Sequence, residues 1–392
     1  MRTKILLVTT VQWPSAARLA GAFANLGAAV AAVFPRGHML AASRYLTAGY
    51  RYKPLDGANS VAAALIAAEP DHVIPCDDRA LTLLLSLKPF AALLQRSLGP
   101  LEGYDTLLAR APSIEAARLE GITAPLTLAV SDRHALPQLL QQVGLPCVMK
   151  ADASWGGEGV RFVACLAEAE RAFAALRNPP RRWRSLARAI LRKDAHFLAA
   201  ARRPAPAQVN VQALVEGKPA TSVFAARNGV VLGALHMAVE SWSGATGPAS
   251  LMSRLRSPAM DEAARKIAAR FQLSGLHGLD FMRDRDGVPH LIEINPRATQ
   301  ICHLPLEADL PACLIGAPER PPVTPARQIA LFPQLLTAGK LPLNVFQDIP
   351  WDDPGMLSAT AGDAMPDAET TAFIEQFGRP TGAPPVFRRH AR

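Results

Sequence analysis

The sequence predicts an α/β protein: a doubly wound parallel sheet over roughly the first hundred residues, then a mixed α+β body. Three observations carry this. Apolar strand-like runs alternate with Ala-rich helical runs from residue 4 to residue 87. A strand, a glycine-bearing loop and a second strand follow at 145–165. Residues 208–296 then read as strand pairs separated by turn signals and one helix. At 392 residues the chain has material for two or three domains with buried cores. With 49% hydrophobic and 19% charged residues it is not a disordered chain.

In the first part, KILLVTT (4–10) reads as a buried strand, 15–27 as an Ala-rich helix and AAVAAVF (28–34) as a second strand. Helix 60–68 leads to the strand DHVIP (71–75) and an apolar helix from about 79 to 87. No G-x-G-x-x-G follows the first strand, which removes the main support for a dinucleotide site. Asp77 and Asp78 sit where a parallel sheet presents its ligand-binding ends. One of them also suits the N-cap of the next helix, and both roles can hold together.

From 105 to 145 the pattern gives two amphipathic helices around the extended ITAPLTLAV (122–130). LPCVMK (145–150), ADASWGGEGV (151–160) and RFVAC (161–165) make strand, loop and strand. VNVQALV, TSVFAAR and VVLGALHM read as three strands, with Asn228-Gly229 as the hairpin turn between the last two. Helix 259–272 and the strands HGLDFMR (277–283) and HLIEINP (290–296), joined by DRDG, complete this part. The Pro-rich remainder, with strand-like QIALF, reads as a small closing subdomain with a frayed RRHAR end.

The net charge of +9 is local. Residues 176–206 carry nine Lys or Arg against Asp194 alone and so hold +8 of it. Arg184, Arg188 and Arg192 form an i, i+4 stripe, with Trp183, Leu186, Ile190 and Phe197 suited to one helical face. A uniformly basic nucleic-acid binder is therefore not expected. The segment reads as a solvated Arg face or as an arm that steers anions. Five scattered cysteines without a C-x-x-C pair (Cys76, Cys147, Cys165, Cys302 and Cys313) predict reduced, packed thiols in a cytoplasmic setting. The short apolar start lacks the features of a signal peptide, and 81–95, broken by Lys88, is too short to span a bilayer.

Three patterns carry chemistry. In the last hairpin, Glu293 and Asn295 share a face by period-2 alternation, and a turn at DRDG brings Asp280 beside them. Such an oxygen cluster suits Mg2+, which takes one or two carboxylates plus phosphate oxygens. Arg297 reaches the same face with a planar donor fork. An exposed sheet face with ordinary salt bridges is the plainer alternative. Second, Lys150 ends a strand before a loop whose Gly156, Gly157 and Gly159 free backbone N–H groups for phosphate oxygens. Third, the edge segment Gln212, Ala213, Leu214 and Val215 could face an adenine ring, with Gln212 or Glu216 bonding the base or ribose. Each of the last two alone is equally a plain strand and turn.

Taken in order, a strand ending in Lys, a G-G-x-G loop, Q-x-x-V-x-G and D-x12-E-x-N-x-R resemble the ATP-grasp superfamily over roughly residues 100–310. The resemblance implies a Rossmann-like domain (1–104) before a two-lobed ATP-grasp domain (105–319). Its lid lobe would span about 125–210 with the basic insert 176–206, and 320–392 would close the chain. It further implies that Lys150 binds nucleotide phosphates under the loop 154–160, and that 212–215 form the adenine hinge. Asp280, Glu293 and Asn295 would hold two Mg2+ ions, Mn2+ being an alternative, and Arg297 would steady the transferred phosphoryl group. Arg110 stands where the family carries an upstream lysine, keeping the charge but not the shape. Ala220 and Thr221 occupy the area of an acidic ribose ligand, with Glu216 as the substitute.

The expected activity is ATP-dependent joining of a small carboxylate to an amine through an acyl-phosphate, giving ADP and phosphate. A bicarbonate-using carboxylase is the alternative within the enzyme class. A non-catalytic ATP-binding protein whose basic arm grips a polyanion is the alternative outside it. No nucleic-acid or membrane partner is expected, and a homodimer is left open. His236 and His277 read as core or supporting histidines.

Overall fold

The structure is a computed structural model that describes residues 2–152, 159–178, 206–242, 248–336 and 344–361. Strands β1 (Lys4–Val8), β2 (Ala29–Phe34), β3 (Leu46–Arg51) and β4 (His72–Pro75) form a parallel sheet in the order β3-β2-β1-β4. Helices α1 (Ser15–Asn25), α2 (Gly57–Ala68) and α3 (Asp78–Ser86) belong to the same domain. Burial on both faces explains the unbroken apolar run of β1: Ile5 and Leu7 enter one core, Leu6 and Val8 another. β3 was not expected. It is an edge strand that alternates half-buried and exposed residues, so it lacks the continuous apolar signal of its neighbours.

Helices α4 (Ala91–Leu98), α5 (Tyr104–Leu108) and α6 (Arg110–Leu119) lead into a second, antiparallel sheet. Its strands β5 (Thr127–Val130), β6 (Cys147–Ala151), β7 (Val160–Val163) and β8 (Val209–Ala213) lie in the order β5-β8-β6-β7. Helices α7 (Leu136–Val143) and α8 (Leu166–Arg177) pack against it. This lobe has a core of its own, around Val130, Leu140, Met149, Phe173 and Val211.

The third sheet has seven strands in the order β13-β12-β9-β10-β11-β14-β15. These are β9 (Lys218–Arg227), β10 (Val230–Trp242), β11 (Ala249–Arg254), β12 (Gly275–Arg283), β13 (Pro289–Asn295), β14 (Gln328–Leu331) and β15 (Phe346–Asp348). Asn228 and Gly229 both take positive φ (49° and 81°), which matches a primed hairpin turn between β9 and β10. Helix α9 (Pro258–Phe271) starts at the N-cap Ser257, whose side chain accepts from the Met260 amide. Helices α10 (Leu310–Ile315) and α11 (Pro354–Ala361) complete the described elements.

The parallel sheet and the seven-stranded sheet do not have separate cores. One cluster joins Ile5, Leu7 and Phe23 to Met237, Ile329 and Leu331, and another joins Leu6 and Val8 to Phe224, Phe281 and Leu291. The segment expected to stand as a small closing subdomain instead extends the large sheet. β14 pairs antiparallel with β11, and β15 pairs parallel with β14. Arg18 of α1 bonds Asp348 at the end of β15, and Ser43 bonds Asp353, so buried acids of this segment find partners in the first domain as well. The basic arm lies outside the described residues apart from 176–178 and 206, as does the RRHAR end.

Candidate active site

A cleft of about 510 Å3 opens between the four-stranded antiparallel lobe and the seven-stranded sheet. Lys150 reaches it from β6 and Gln212 from β8, and Asp280, Glu293 and Asn295 face them from β12 and β13.

The hairpin does what its spacing predicts. Asp280 and Glu293 are direct cross-strand partners, and Gly278 faces Asn295 two pairs further on. The Asn295 amide donates to Asp280 Oδ2 at 2.9 Å. The register then shifts, since Phe281 pairs with Leu291, which leaves Ile292 as the extra residue of a β-bulge. The Ile292 carbonyl accepts from Gln212 Nε2 at 3.3 Å, so the bulge joins the two walls of the cleft. Burial, and then the neighbouring Glu293, push the Asp280 carboxyl above its ordinary range. An extra positive charge at this point would relieve both effects.

On the opposite wall, Lys150 is 7% exposed and donates from Nζ to Gln212 Oε1 at 2.7 Å. Gln212 Nε2 donates in turn to Thr127 Oγ1 at 2.9 Å. Burial lowers the Lys150 ammonium to about 8 against the pull of Glu293 and Asp280. The Gln212 side chain is thus engaged in holding Lys150 rather than turned to a base or ribose. The Ala213 amide is bonded to the Leu126 carbonyl, while Leu214 and Val215 line the cleft past the strand end.

Arg110 opens α6 and pairs through Nη1 with Glu293 Oε2 at 2.8 Å, while its Nε donates to the Ala151 carbonyl at 3.2 Å. Asp152 accepts from the Asn210 side chain at 2.8 Å and lies 3.8 Å from Arg110 Nε. Arg297 donates from Nε and Nη2 to the two oxygens of Asp78, at 2.7 and 3.0 Å, and from Nη2 to Asn295 Oδ1 at 3.1 Å. Glu216 is exposed and pairs with Arg285, and it is not among the residues lining the cleft. The Gly159 carbonyl accepts from the Ala151 amide. Gly156 and Gly157 lie outside the described residues.

Asp77 and Asp78 divide the roles considered for them. Asp77 caps α3 through the Ala80 amide and accepts from the Thr10 amide and hydroxyl. Asp78 turns to Arg297. His277 is buried against the Ser274 carbonyl, and burial lowers its imidazole to about 4. His236 lies between Ser222 (2.9 Å) and Asp261 (2.8 Å), an arrangement that resembles a hydrolytic triad. Ser222 is fully buried, however, which removes it as a nucleophile. Cys76, Cys147 and Cys302 are buried, whereas Cys165 is exposed and Cys313 half-buried.

Several residues of the site were not marked by the sequence. Thr127 lies 85 positions from its partner Gln212 and carries no local signal. Asp152 could have been found, since it stands two residues beyond Lys150. Trp13, from the loop before α1, lines both the cleft and an adjoining cavity of about 370 Å3 that also shares Pro248 and Gln300. In that cavity Asp348 holds Arg18 on one oxygen and His303 Nε2 on the other, the latter at 2.8 Å.

Among the described residues, no group of three or more His, Cys, Asp or Glu gathers as a closed metal cage. Two carboxylates and an amide oxygen on one sheet face suit instead a hard cation completed by ligand oxygens. No described helix is long and apolar enough to cross a membrane.

No curated protein matches the chain in sequence. Solved structures do. The biotin carboxylase domain of Hydrogenobacter thermophilus 2-oxoglutarate carboxylase, in complex with MgADP, ADP and bicarbonate, is 17% identical with a TM-score of 0.58. That match covers 81% of this chain and 69% of the other. N5-carboxyaminoimidazole synthetase from Staphylococcus aureus, complexed with ADP, is 13% identical with a TM-score of 0.59, covering 82% and 80%. The carboxyaminoimidazole ribonucleotide synthase of Aspergillus clavatus, complexed with ATP, is 15% identical with a TM-score of 0.58, covering 81% and 78%. The model of the ATP-grasp domain family matches residues 119–300, the stretch that supplies Lys150, Gln212, Asp280, Glu293, Asn295 and Arg297. Residues 119–300 therefore match the ATP-grasp domain family, and a Rossmann-like parallel sheet precedes them.

Proposed function

We propose that this protein is an ATP-dependent, ADP-forming ligase that activates a small carboxylate as an acyl-phosphate and joins it to an amine. The observation that carries the reading is the charge arrangement of one cleft. Lys150 and Arg110 bring cationic groups, and Asp280, Glu293 and Asn295 bring oxygen donors against them.

In this reading the nucleotide base lies along Leu214 and Val215, and Lys150 meets the phosphates, its ammonium held by Gln212 and Thr127. Asp280, Glu293 and Asn295 would hold Mg2+, two ions on the family pattern. The metal supplies charge neutralisation of the phosphate oxygens. Arg297 presents its remaining N–H groups to the group being transferred. The antiparallel lobe excludes water and so protects an acyl-phosphate from hydrolysis. We place the second substrate in the adjoining cavity by Trp13, Gln300 and His303. The setting that goes with this reading is cytoplasmic, with small-molecule substrates and the oligomeric state left open.

Release of ADP with a panel of carboxylates and amino acids tests the proposal. Turnover should require Mg2+ and fall on the order of 100-fold or more in Asp280→Ala and Glu293→Ala. Unchanged turnover in both variants would refute it. A second reading, a carboxylase that activates bicarbonate, is supported by the likeness in fold to a bicarbonate-bound carboxylase domain. ADP release that depends on bicarbonate and on no other carboxylate would favour it.

A further inference from the structure

We propose that Asp78, a residue of the N-terminal parallel-sheet domain, is the positioning residue of Arg297 and so part of the phosphate end of the cleft. This rests on the ATP-dependent reading above.

The two residues are 219 positions apart, yet the contact is a two-pronged one: Arg297 Nε to Asp78 Oδ1 at 2.7 Å and Nη2 to Oδ2 at 3.0 Å. Arg297 is 12% exposed and Asp78 27%, so water competes weakly for the pair. Two further contacts show that this is a built joint. The Ala298 amide, one residue past Arg297, donates to the Pro75 carbonyl at the end of β4. Asp77, one residue before Asp78, is pinned by the Thr10 amide (2.6 Å), the Thr10 hydroxyl (2.8 Å) and the Ala80 amide (2.9 Å). The backbone that carries Asp78 is therefore fixed before the side chain reaches out.

The same guanidinium donates from Nη2 to Asn295 Oδ1, and Asn295 donates to Asp280. One line of hydrogen bonds thus runs from Thr10 and Asp77, through the backbone to Asp78, and on through Arg297 and Asn295 to Asp280. With Nε and Nη2 occupied, the guanidinium plane is set and its Nη1 edge is left for an anion; Nη1 has only a long 3.4 Å contact to the Ala298 carbonyl. Asp78 fixes which edge of Arg297 meets a terminal phosphate, and a terminal phosphate is what separates a triphosphate from a diphosphate.

Calorimetric titration with Mg-ADP and with the non-hydrolysable triphosphate Mg-AMP-PNP tests this, on the full-length protein and on Asp78→Asn, Asp78→Glu, Arg297→Lys and the Asp78→Asn/Arg297→Lys double variant. The expected result is a loss of about tenfold in triphosphate affinity in Asp78→Asn, with ADP affinity within about twofold of the parent. Asp78→Glu, which keeps the charge, should lose less. The double variant should be no weaker than Arg297→Lys alone, because the two residues act as one unit. Equal losses for both nucleotides would make Asp78 a scaffold residue and overturn the proposal. Independent, additive losses in the double variant would also overturn it, and so would an unchanged triphosphate affinity. If Asp78→Asn fails to fold, the comparison of Asp78→Glu with Arg297→Lys gives the same decision. Binding of neither nucleotide by the parent protein would remove the ATP-dependent reading itself, a result distinct from all of these.

Discussion

Lys150 is a cleft residue whose chemistry is altered by its burial in the fold. Its ammonium is buried beside a neutral amide, with Glu293 and Asp280 across the cleft, and its pKa falls from 10.5 to about 8. A phosphate group would stabilise the charged form and raise that value again. Nucleotide binding above about pH 8 should then take up protons, and affinity for Mg-ADP should weaken from pH 7 to pH 9. Titrations in buffers of different ionisation enthalpy read the uptake directly, and Lys150→Met should abolish it. The stability linkage has a matching sign. Between about pH 8 and 10.5 the unfolded chain binds more protons at this residue than the folded one. The cost of burying the Lys150 charge is therefore fully present below pH 8 and fades as pH rises through that window.

At the scale of elements, the hinge between β8 and β9 leans on one glycine. A Cβ on Gly217 would stand 1.8 Å from the Arg283 carbonyl at the end of β12 and 3.0 Å from Asp284 Cα. Gly217→Ala must push the β12–β13 hairpin away from the hinge, at about 1–3 kcal/mol. A melting temperature lower by several degrees, with weaker nucleotide binding, is the expected outcome. The hairpin itself was legible in the sequence, because period-2 alternation fixes which carboxylates share a face: Asp280, Glu293 and Asn295 meet as their spacing requires. The helices α1, α2, α3 and α9 were legible from their helical runs and the buried strands β1, β2 and β4 from an unbroken apolar signal, whereas α4 and α8 were not expected. What escaped was set by contacts between distant segments. The edge strand β3, the place of β14 and β15 in the large sheet, Thr127 under Gln212 and Asp78 on Arg297 all depend on partners that no local pattern announces. Gln212 was noticed in the sequence, and its side chain turns to Lys150.

For the whole molecule, the division of the core sets what can move. The antiparallel lobe buries its own cluster, whereas the other two sheets share theirs. The lobe is therefore the part that can shift as a unit at little cost, since few apolar contacts cross to the rest. Among the contacts that do cross are polar ones, Gln212 to the Ile292 carbonyl and Arg110 to Glu293 and the Ala151 carbonyl. Hydrogen exchange should show slower exchange at β6, β7 and β8 on addition of Mg-ADP, with the parallel sheet unchanged. Equal slowing in the parallel sheet would contradict a lobe that moves alone.

The shared core also has a consequence for how the chain is made. Ile5, Leu7 and Phe23 leave the ribosome early, yet they pack with Ile329, Leu331 and Met356, and Arg18 waits for Asp348. At roughly 5–20 residues per second, some 300 residues of synthesis leave that apolar face without its final cover for roughly 15–60 seconds. The first sheet of this protein is thus in need of shelter during translation until β14 and β15 are made.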